Sequence, residues 1–328
     1  MDAIVDTDIL RVPAAGEAVV DSEIQSFCLA DGRRIAFCVF GACDGFPVLA
    51  LHGTPGSSMK FRGASGLTAR VGLRLICPDR WGYGDTSLHP APSLSAFARD
   101  ALALLDGFGA ERFALIGVSG GGPYATAVAA AAGDRVSRLA LVSPVGLISG
   151  LPGKEMRAFH RLCFRLLPRL PGATTVLFRF YRRLLLLAPR TAIGMASSWS
   201  IDVDREIVRT PTIREGLAAS FRAGLLRHAA GAVCDVKLFA RAWDVDARQV
   251  RAPARIWLGT LDRNVPQAAV SRLAEALPHV ELTRVEGEGH FLIARRLDDV
   301  LLWLSNTQVE HTSAGDRPSG LRAQSSPV

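Results

Sequence analysis

Residues 113–125 read FALIGVSGGGPYA, an apolar run, then Gly117-Val118-Ser119-Gly120-Gly121, then an alanine-rich stretch. A serine hydroxyl is a weak nucleophile until a neighbouring base removes its proton. Glycine-x-serine-x-glycine between a buried strand and a helix sets the serine on a sharp turn, with its oxygen exposed above the strand end. Bulk at Gly117 or Gly121 would clash with the strand and helix around such a turn. The same turn aims backbone N–H groups and a helix N-terminus at developing negative charge. The chemistry implied is acyl transfer through Ser119.

Acyl transfer needs a second N–H for the oxyanion. Residues 48–58 read VLALHGTPGSS, a strand ending in a glycine-bounded loop. The backbone amides of Thr54 and Gly120 are the predicted oxyanion hole, each donor contributing about 3 kcal/mol to the transition state. His52 is expected to hold that loop. The base and its acid should follow later strands. IWLGTLDRNVP (256–266) supplies Asp262, and VELTRVEGEGHFL (280–292) supplies His290 in a glycine-flanked loop. The order Ser119, Asp262, His290 suits a serine raised at a strand-to-helix turn, and Asp262 would fix the tautomer of His290. Other histidines fit worse: His279 begins a strand, His311 lies near the C-terminus, and His160 and His228 fall in a helical middle segment. Ser143-Pro144-Val145, after the preceding strand, holds no carboxylate that could serve instead. Glu286 and Glu288 are too near His290 in the chain to reach its far side. The loop CPDRWGYGDTS (77–87) reads as a brace, with Trp81 and Tyr83 as candidates for the acyl-pocket wall. The set calls for no metal and no organic cofactor.

Alternating elements must position these residues. Apolar runs over 24–29 and 33–40 flank Ala30-Asp31-Gly32, a hairpin signal. Further strands are predicted at 47–51, 73–77, 113–118, 136–142, 256–258 and 280–285. Helices are predicted over 94–108, capped by Ser93, and over 122–132, 268–277 and 291–304. Short apolar strands alternating with longer helices mean a mostly parallel sheet covered on both faces. The rhythm breaks once. Residues 146–235 form a proline-punctuated, Leu- and Arg-rich helical cap. The expected organisation is a flexible leader (1–22), a core in two parts (23–145 and 236–306) around that cap, and a flexible polar tail (307–328).

The 328 residues carry 38 basic and 31 acidic side chains, with a mean hydropathy of +0.22. Between Gly150 and Asp235 there are 14 basic and 6 acidic residues, so the whole positive excess lies in the cap. Such a modest excess argues against a nucleic-acid partner. It leaves open a solvated face, a basic rim to the acyl pocket formed by residues such as Arg161, Arg165, Arg182 and Arg183 that would favour an anionic head group, or peripheral contact with anionic lipid. Leu and Phe residues between 159 and 187 are the candidate acyl tunnel. Six cysteines without metal-ligand spacing, and no secretory leader, lead us to expect a cytoplasmic protein. No window reaches about 18 uncharged apolar residues, so no transmembrane helix is expected. A homodimer is left open.

Together HGTPG (52–56), PDRWGYGDTS (78–87), GVSGG (117–121), LD (261–262) and GEGHF (287–291) span nearly the whole core. On these segments the chain resembles the lidded serine hydrolases of the α/β-hydrolase superfamily. The resemblance implies an α/β-hydrolase fold: an eight-stranded, mostly parallel sheet flanked by helices, with the cap inserted after the sixth strand. It implies Thr54 and Gly120 amides in the oxyanion hole and a small-molecule acyl substrate. Ser119 stands where haloalkane dehalogenases and epoxide hydrolases carry Asp. Gly120 stands where proline iminopeptidases usually carry Trp. Carboxylic ester hydrolysis on a small or medium apolar acyl group is therefore the leading expectation. Proline iminopeptidase-like or C–C bond hydrolase activity is the alternative, ahead of a perhydrolase or a non-catalytic binding protein.

Overall fold

The apolar run Phe113–Val118 is buried along its whole length, as a strand covered on both faces requires. It lies inside a nine-stranded sheet in a computed structural model that describes residues 20–197 and 201–306. The strands are β1 (Val20–Asp21), β2 (Gln25–Cys28), β3 (Arg34–Gly41), β4 (Phe46–Leu51), β5 (Leu73–Pro78), β6 (Phe113–Val118), β7 (Val136–Val142), β8 (Ala254–Gly259) and β9 (Val280–Val285). Their order is β1-β3-β5-β4-β6-β7-β8-β9, and β2 also pairs with β3. The hairpin and β3–β5 are antiparallel; β5-β4-β6-β7-β8-β9 is parallel. One strand more is present than expected. Val20–Asp21 pairs with Phe40 and Gly41, inside the stretch read as a leader; two residues are too few to show a strand period. The rest of the leader (1–19) and the tail (307–328) lie outside the described residues.

Helices cover both faces. α1 spans Ser65–Arg70, α2 Leu94–Gly107 and α3 Gly122–Ala132. α2 starts where predicted: the Ser93 hydroxyl accepts a hydrogen bond from the Ala96 amide at 3.1 Å. Its buried Leu94, Phe97, Ala98, Ala101, Leu104 and Leu105 form one stripe, the spacing that turns one helical face toward a core. Between β7 and β8 the chain forms α4 (Ala158–Arg161), α5 (Ala173–Leu187), α6 (Pro189–Ser197), α7 (Asp202–Arg209), α8 (Pro211–Leu225) and α9 (Ala230–Phe239). α10 (Gln267–Ala276) precedes β9 and α11 (Ile293–Ser305) follows it. One apolar cluster includes residues of α2, α3 and α10. A second includes Val300, Leu301 and Leu304 of α11. The helices between β7 and β8 share a third, around Tyr181, Leu185 and Leu217, joined by Tyr83. Among the described residues, no helix is long and apolar enough to cross a membrane.

Parallel strands end on the same edge of a sheet, and side chains just past those ends converge. Leu51 of β4 is in register with Gly117 of β6, and Gly259 of β8 with Val285 of β9. The loops carrying Thr54, Ser119, Asp262 and His290 therefore leave the sheet along one rim.

Candidate active site

Ser119 follows β6 directly, with φ at +53°, a left-handed backbone conformation that a non-glycine residue holds only when its surroundings enforce it. The neighbours make the turn feasible. A methyl on Gly117 would meet the Ala125 Cβ at 2.8 Å, and one on Gly121 would meet the Leu51 carbonyl oxygen at 2.2 Å. Both are contacts that no larger side chain tolerates, as the sequence predicts.

The Ser119 hydroxyl lies 3.0 Å from His290 Nε2. His290 Nδ1 lies 2.8 Å from Asp262 Oδ2. The other carboxylate oxygen of Asp262 accepts the amides of Asn264 and Val265, at 2.8 and 3.2 Å. The predicted Ser119, His290 and Asp262 thus share one chain of hydrogen bonds, although 171 residues separate the serine from the histidine. With Nδ1–H donated to the carboxylate, Nε2 is left as the acceptor facing Ser119. Burial works to lower the pKa of His290, but the charge and hydrogen bond of Asp262, aided by Asp204, outweigh it and hold the imidazole above its ordinary value.

The two predicted oxyanion residues are adjacent: a methyl on Gly120 would meet the Thr54 amide nitrogen at 3.1 Å. His52 is wholly buried, its pKa driven far down by burial and by the Arg80 charge. Neutral, its Nε2 accepts the Arg80 amide at 3.1 Å. It braces the loop, as expected. Trp81 and Tyr83 belong to the expected brace and, of the two roles left open for them, do not line the cavity at Ser119. The indole N–H of Trp81 donates to Asp100 at 2.9 Å and the Tyr83 hydroxyl donates to Asp235 at 2.7 Å.

Two carboxylates that the sequence reading passed over hold the site from the helices between β7 and β8. Asp235 of α9 is buried, and one of its oxygens accepts Arg80 Nη2 and the Thr54 hydroxyl at 2.5 Å each, besides Tyr83. Its other oxygen accepts the Tyr124 hydroxyl at 2.7 Å. Asp204 of α7, wholly buried, accepts the amides of His290 and Phe291 at 3.0 and 2.9 Å. α9 therefore fixes the Thr54 loop, and α7 fixes the His290 loop. The visible signal for Asp235 was a lone acid in the apolar segment AGAVCDVKLF; for Asp204 there was none beyond its place in the first turn of a helix.

Asp204 yields a prediction. Its negative charge favours the protonated imidazole, so Asp204→Asn should move the acidic limb of kcat/KM to lower pH. In the unsubstituted protein that limb should lie above the ordinary imidazole value of about 6.5, with rate lost as pH falls and Nε2 takes up a proton. Losing one charge-assisted bond to the loop should also lower kcat/KM roughly tenfold at neutral pH. A pH–rate profile of both proteins on a neutral ester checks this; coincident limbs would contradict it.

Ser119 and His290 open into a cavity of about 110 Å³ whose walls include Thr54, Val118, Leu217, Phe221 and Phe291. The cavity wall from the intervening helices is formed by Ala196, Leu217 and Phe221, not by residues 159–187. Leu162, Leu166, Leu170, Leu177, Phe180 and Leu187 are solvent-exposed instead. The arginine rim, one of the readings left open, is not found at this cavity, whose lining includes no arginine among the described residues. Arg161 and Arg165 donate to backbone carbonyls of Gly153, Met156 and Leu151. Arg182 donates to those of Leu225 and Leu226, at 2.7 and 2.5 Å, and Arg183 lies in a separate surface groove. The one lysine or arginine in the catalytic wall, among the described residues, is Lys60.

Comparison with known proteins adds to this geometry. Residues 47–295 match the family model described as alpha/beta hydrolase fold. The chain is 29% identical over 274 residues to a 2-hydroxymuconate semialdehyde hydrolase of Pseudomonas putida, covering 82% of this chain and 88% of that protein. An alpha/beta hydrolase fold protein from Nakamurella multipartita superposes with a TM-score of 0.63 at 24% identity, over 85% of this chain and 99% of the other. An esterase from Rhodococcus sp. ECU1013 superposes with a TM-score of 0.64 at 23% identity, over 90% of this chain and 100% of the other. At these identities the two structures speak for the fold alone.

Proposed function

The chain belongs to the alpha/beta hydrolase fold family, and on that premise we propose that it is a serine hydrolase that cleaves carboxylic esters of small acids through a Ser119 acyl-enzyme. The observation that carries this reading is the hydrogen-bonded chain from Asp262 through His290 to Ser119. His290 Nε2 accepts the Ser119 proton as the oxygen attacks the ester carbonyl. The amides of Thr54 and Gly120 hold the resulting oxyanion. His290 then returns the proton to the departing alkoxide. Water, deprotonated by the same nitrogen, releases the acid and restores Ser119. Asp262 keeps the imidazole in the tautomer that can accept and stabilises it once charged. No step calls on a metal or organic cofactor.

In this reading residues 146–235 are a cap that roofs the site, with the core on either side at 23–145 and 236–306. Leu217 and Phe221 face the acyl group. Their cavity is smaller than the ~150 Å³ space that takes up a benzene, so the acyl chain should be short. Each buried methylene contributes about 0.8 kcal/mol, or roughly fourfold in rate. Along a nitrophenyl series, kcat/KM should rise about fourfold per carbon from acetate to butyrate and then fall. Continued rise to octanoate would remove the small-acid assignment.

C–C bond hydrolysis is the second reading, favoured by the likeness to the Pseudomonas putida enzyme over most of its length. The same proton relay would serve attack at a ketone with a carbon leaving group. Assaying vinylogous 1,5-diketones beside the esters separates the two: turnover of the diketones alone would favour the second.

A further inference from the structure

Lys60 follows the oxyanion loop, in the short turn Ser58–Ala64, and its side chain shares the cavity wall with Ser119 and His290. Lys60 is only partly exposed, and a partly desolvated charge is costly unless something pairs with it. The buried arginine among the described residues follows that rule: Arg80 is held by Asp235. Among the described residues, the Lys60 ammonium has no hydrogen-bond or ion-pair partner, and no Asp or Glu lines its cavity. Burial pushes its pKa down to about 8, and its charge reaches His290, opposing protonation there. The chain also holds only three lysines among its 38 basic residues. A compact ammonium stands at this point where arginine serves nearly everywhere else, and it suits a single oxyanion in a small space better than a broad guanidinium.

We propose that Lys60 receives a carboxylate carried by the substrate, so that the preferred esters are monoesters of short dicarboxylic acids, with the ester carbonyl at Ser119 and the free carboxylate on the Lys60 ammonium. The acyl position follows from Lys60 and Ser119 bounding one cavity of about 110 Å³. This deepens, and rests on, the ester hydrolase reading. The carboxylate supplies the missing partner, and a charge-assisted bond of this kind contributes about 1.5–3 kcal/mol, or roughly 10- to 100-fold in binding.

The test compares monoethyl succinate and monoethyl glutarate with the neutral ethyl butyrate and ethyl valerate, with acid release followed by pH-stat. Carboxymethyl butyrate, whose charge sits on the alcohol side, tells acyl from leaving-group placement. The ratio of kcat/KM for a monoester over its neutral counterpart should exceed tenfold, carried mainly by KM. Lys60→Met should lower that ratio 10- to 100-fold, while Lys60→Arg retains most of it. A ratio near or below one in the unsubstituted protein would overturn the proposal. So would a Lys60→Met protein that loses both substrates by the same factor, or a preference confined to carboxymethyl butyrate. If Lys60→Met does not fold, the unsubstituted ratio and Lys60→Gln carry the same test. Calorimetry with monoethyl glutarate on Ser119→Ala reads the subsite without turnover. Binding there that Lys60→Met abolishes, with no ester hydrolysed by the active protein, would retire the esterase reading and leave the carboxylate site standing; no binding would retire the site.

Discussion

Ser119→Ala should lower ester turnover by roughly 10⁴- to 10⁶-fold while leaving the fold intact. The magnitude follows from what the hydroxyl does in the proposed mechanism. Without it there is no acyl-enzyme, and only oxyanion stabilisation and positioning remain, which sustain a small residual rate over water. The change removes one oxygen at the edge of the cavity, so no core packing is lost. Alanine must still adopt a φ of +53° at this turn, which serine already does, so the backbone strain is common to both. Matching far-ultraviolet spectra and urea midpoints, with the rate on nitrophenyl butyrate, check the prediction. A variant retaining more than a few per cent of the rate would mean that another group attacks the substrate.

Asp235→Ala should destabilise the protein by about 3–5 kcal/mol, the cost of removing one partner from a buried ion pair. The side chains of Asp235 and Arg80 are 2% and 1% exposed, 2.5 Å apart. Four donors meet on that carboxylate: Arg80, Thr54, Tyr83 and Tyr124. Truncation leaves a buried guanidinium and three hydroxyls to find other acceptors. Asp235→Asn keeps the shape and some acceptors but loses the charge, so its penalty should be smaller. The shift in urea midpoint at unchanged m-value measures both. Because Thr54 loses its anchor, Asp235→Asn should also lower kcat more than it raises KM. A penalty under 1 kcal/mol for the alanine variant would show that the network adds little to stability.

The difference between what the sequence revealed and what it hid has a physical basis. Ser119 was legible because the strand, the turn and the helix that raise it are contiguous, and each leaves a local mark in residue type. Asp262 and His290 were legible because each follows an apolar run by a few residues, and parallel strands bring their ends to one rim. The Thr54 loop was legible for the same reason. Asp204 and Asp235 were not. Their partners lie 86 and 181 residues away, and no spacing rule connects a helix in the intervening segment to a loop on the sheet. The role of that segment's arginines stayed open for a related reason. Composition records the charge of Arg165 and Arg182 but not the carbonyls of Leu151, Leu225 and Leu226 to which they donate. Apolar residues 159–187 gave a strong signal of density with no indication of which face would meet the site. Leu217 and Phe221, which do line the cavity, stand in a less conspicuous stretch. Lys60 is plain in the sequence as a residue, but its place beside Ser119 arises only when the Ser58–Ala64 turn packs near the Thr54 loop.

The acyl-enzyme itself provides the most direct measurement. Acid-quenching the protein during turnover of nitrophenyl butyrate, then mapping peptides by mass spectrometry, should find one butyryl group on Ser119, together with a burst of nitrophenol close to one equivalent. The adduct should be missing from Ser119→Ala and should persist longer in His290→Ala if any of it forms there. A butyryl group on another side chain, or steady turnover with no adduct and no burst under conditions where deacylation is slow, would contradict a covalent mechanism through Ser119.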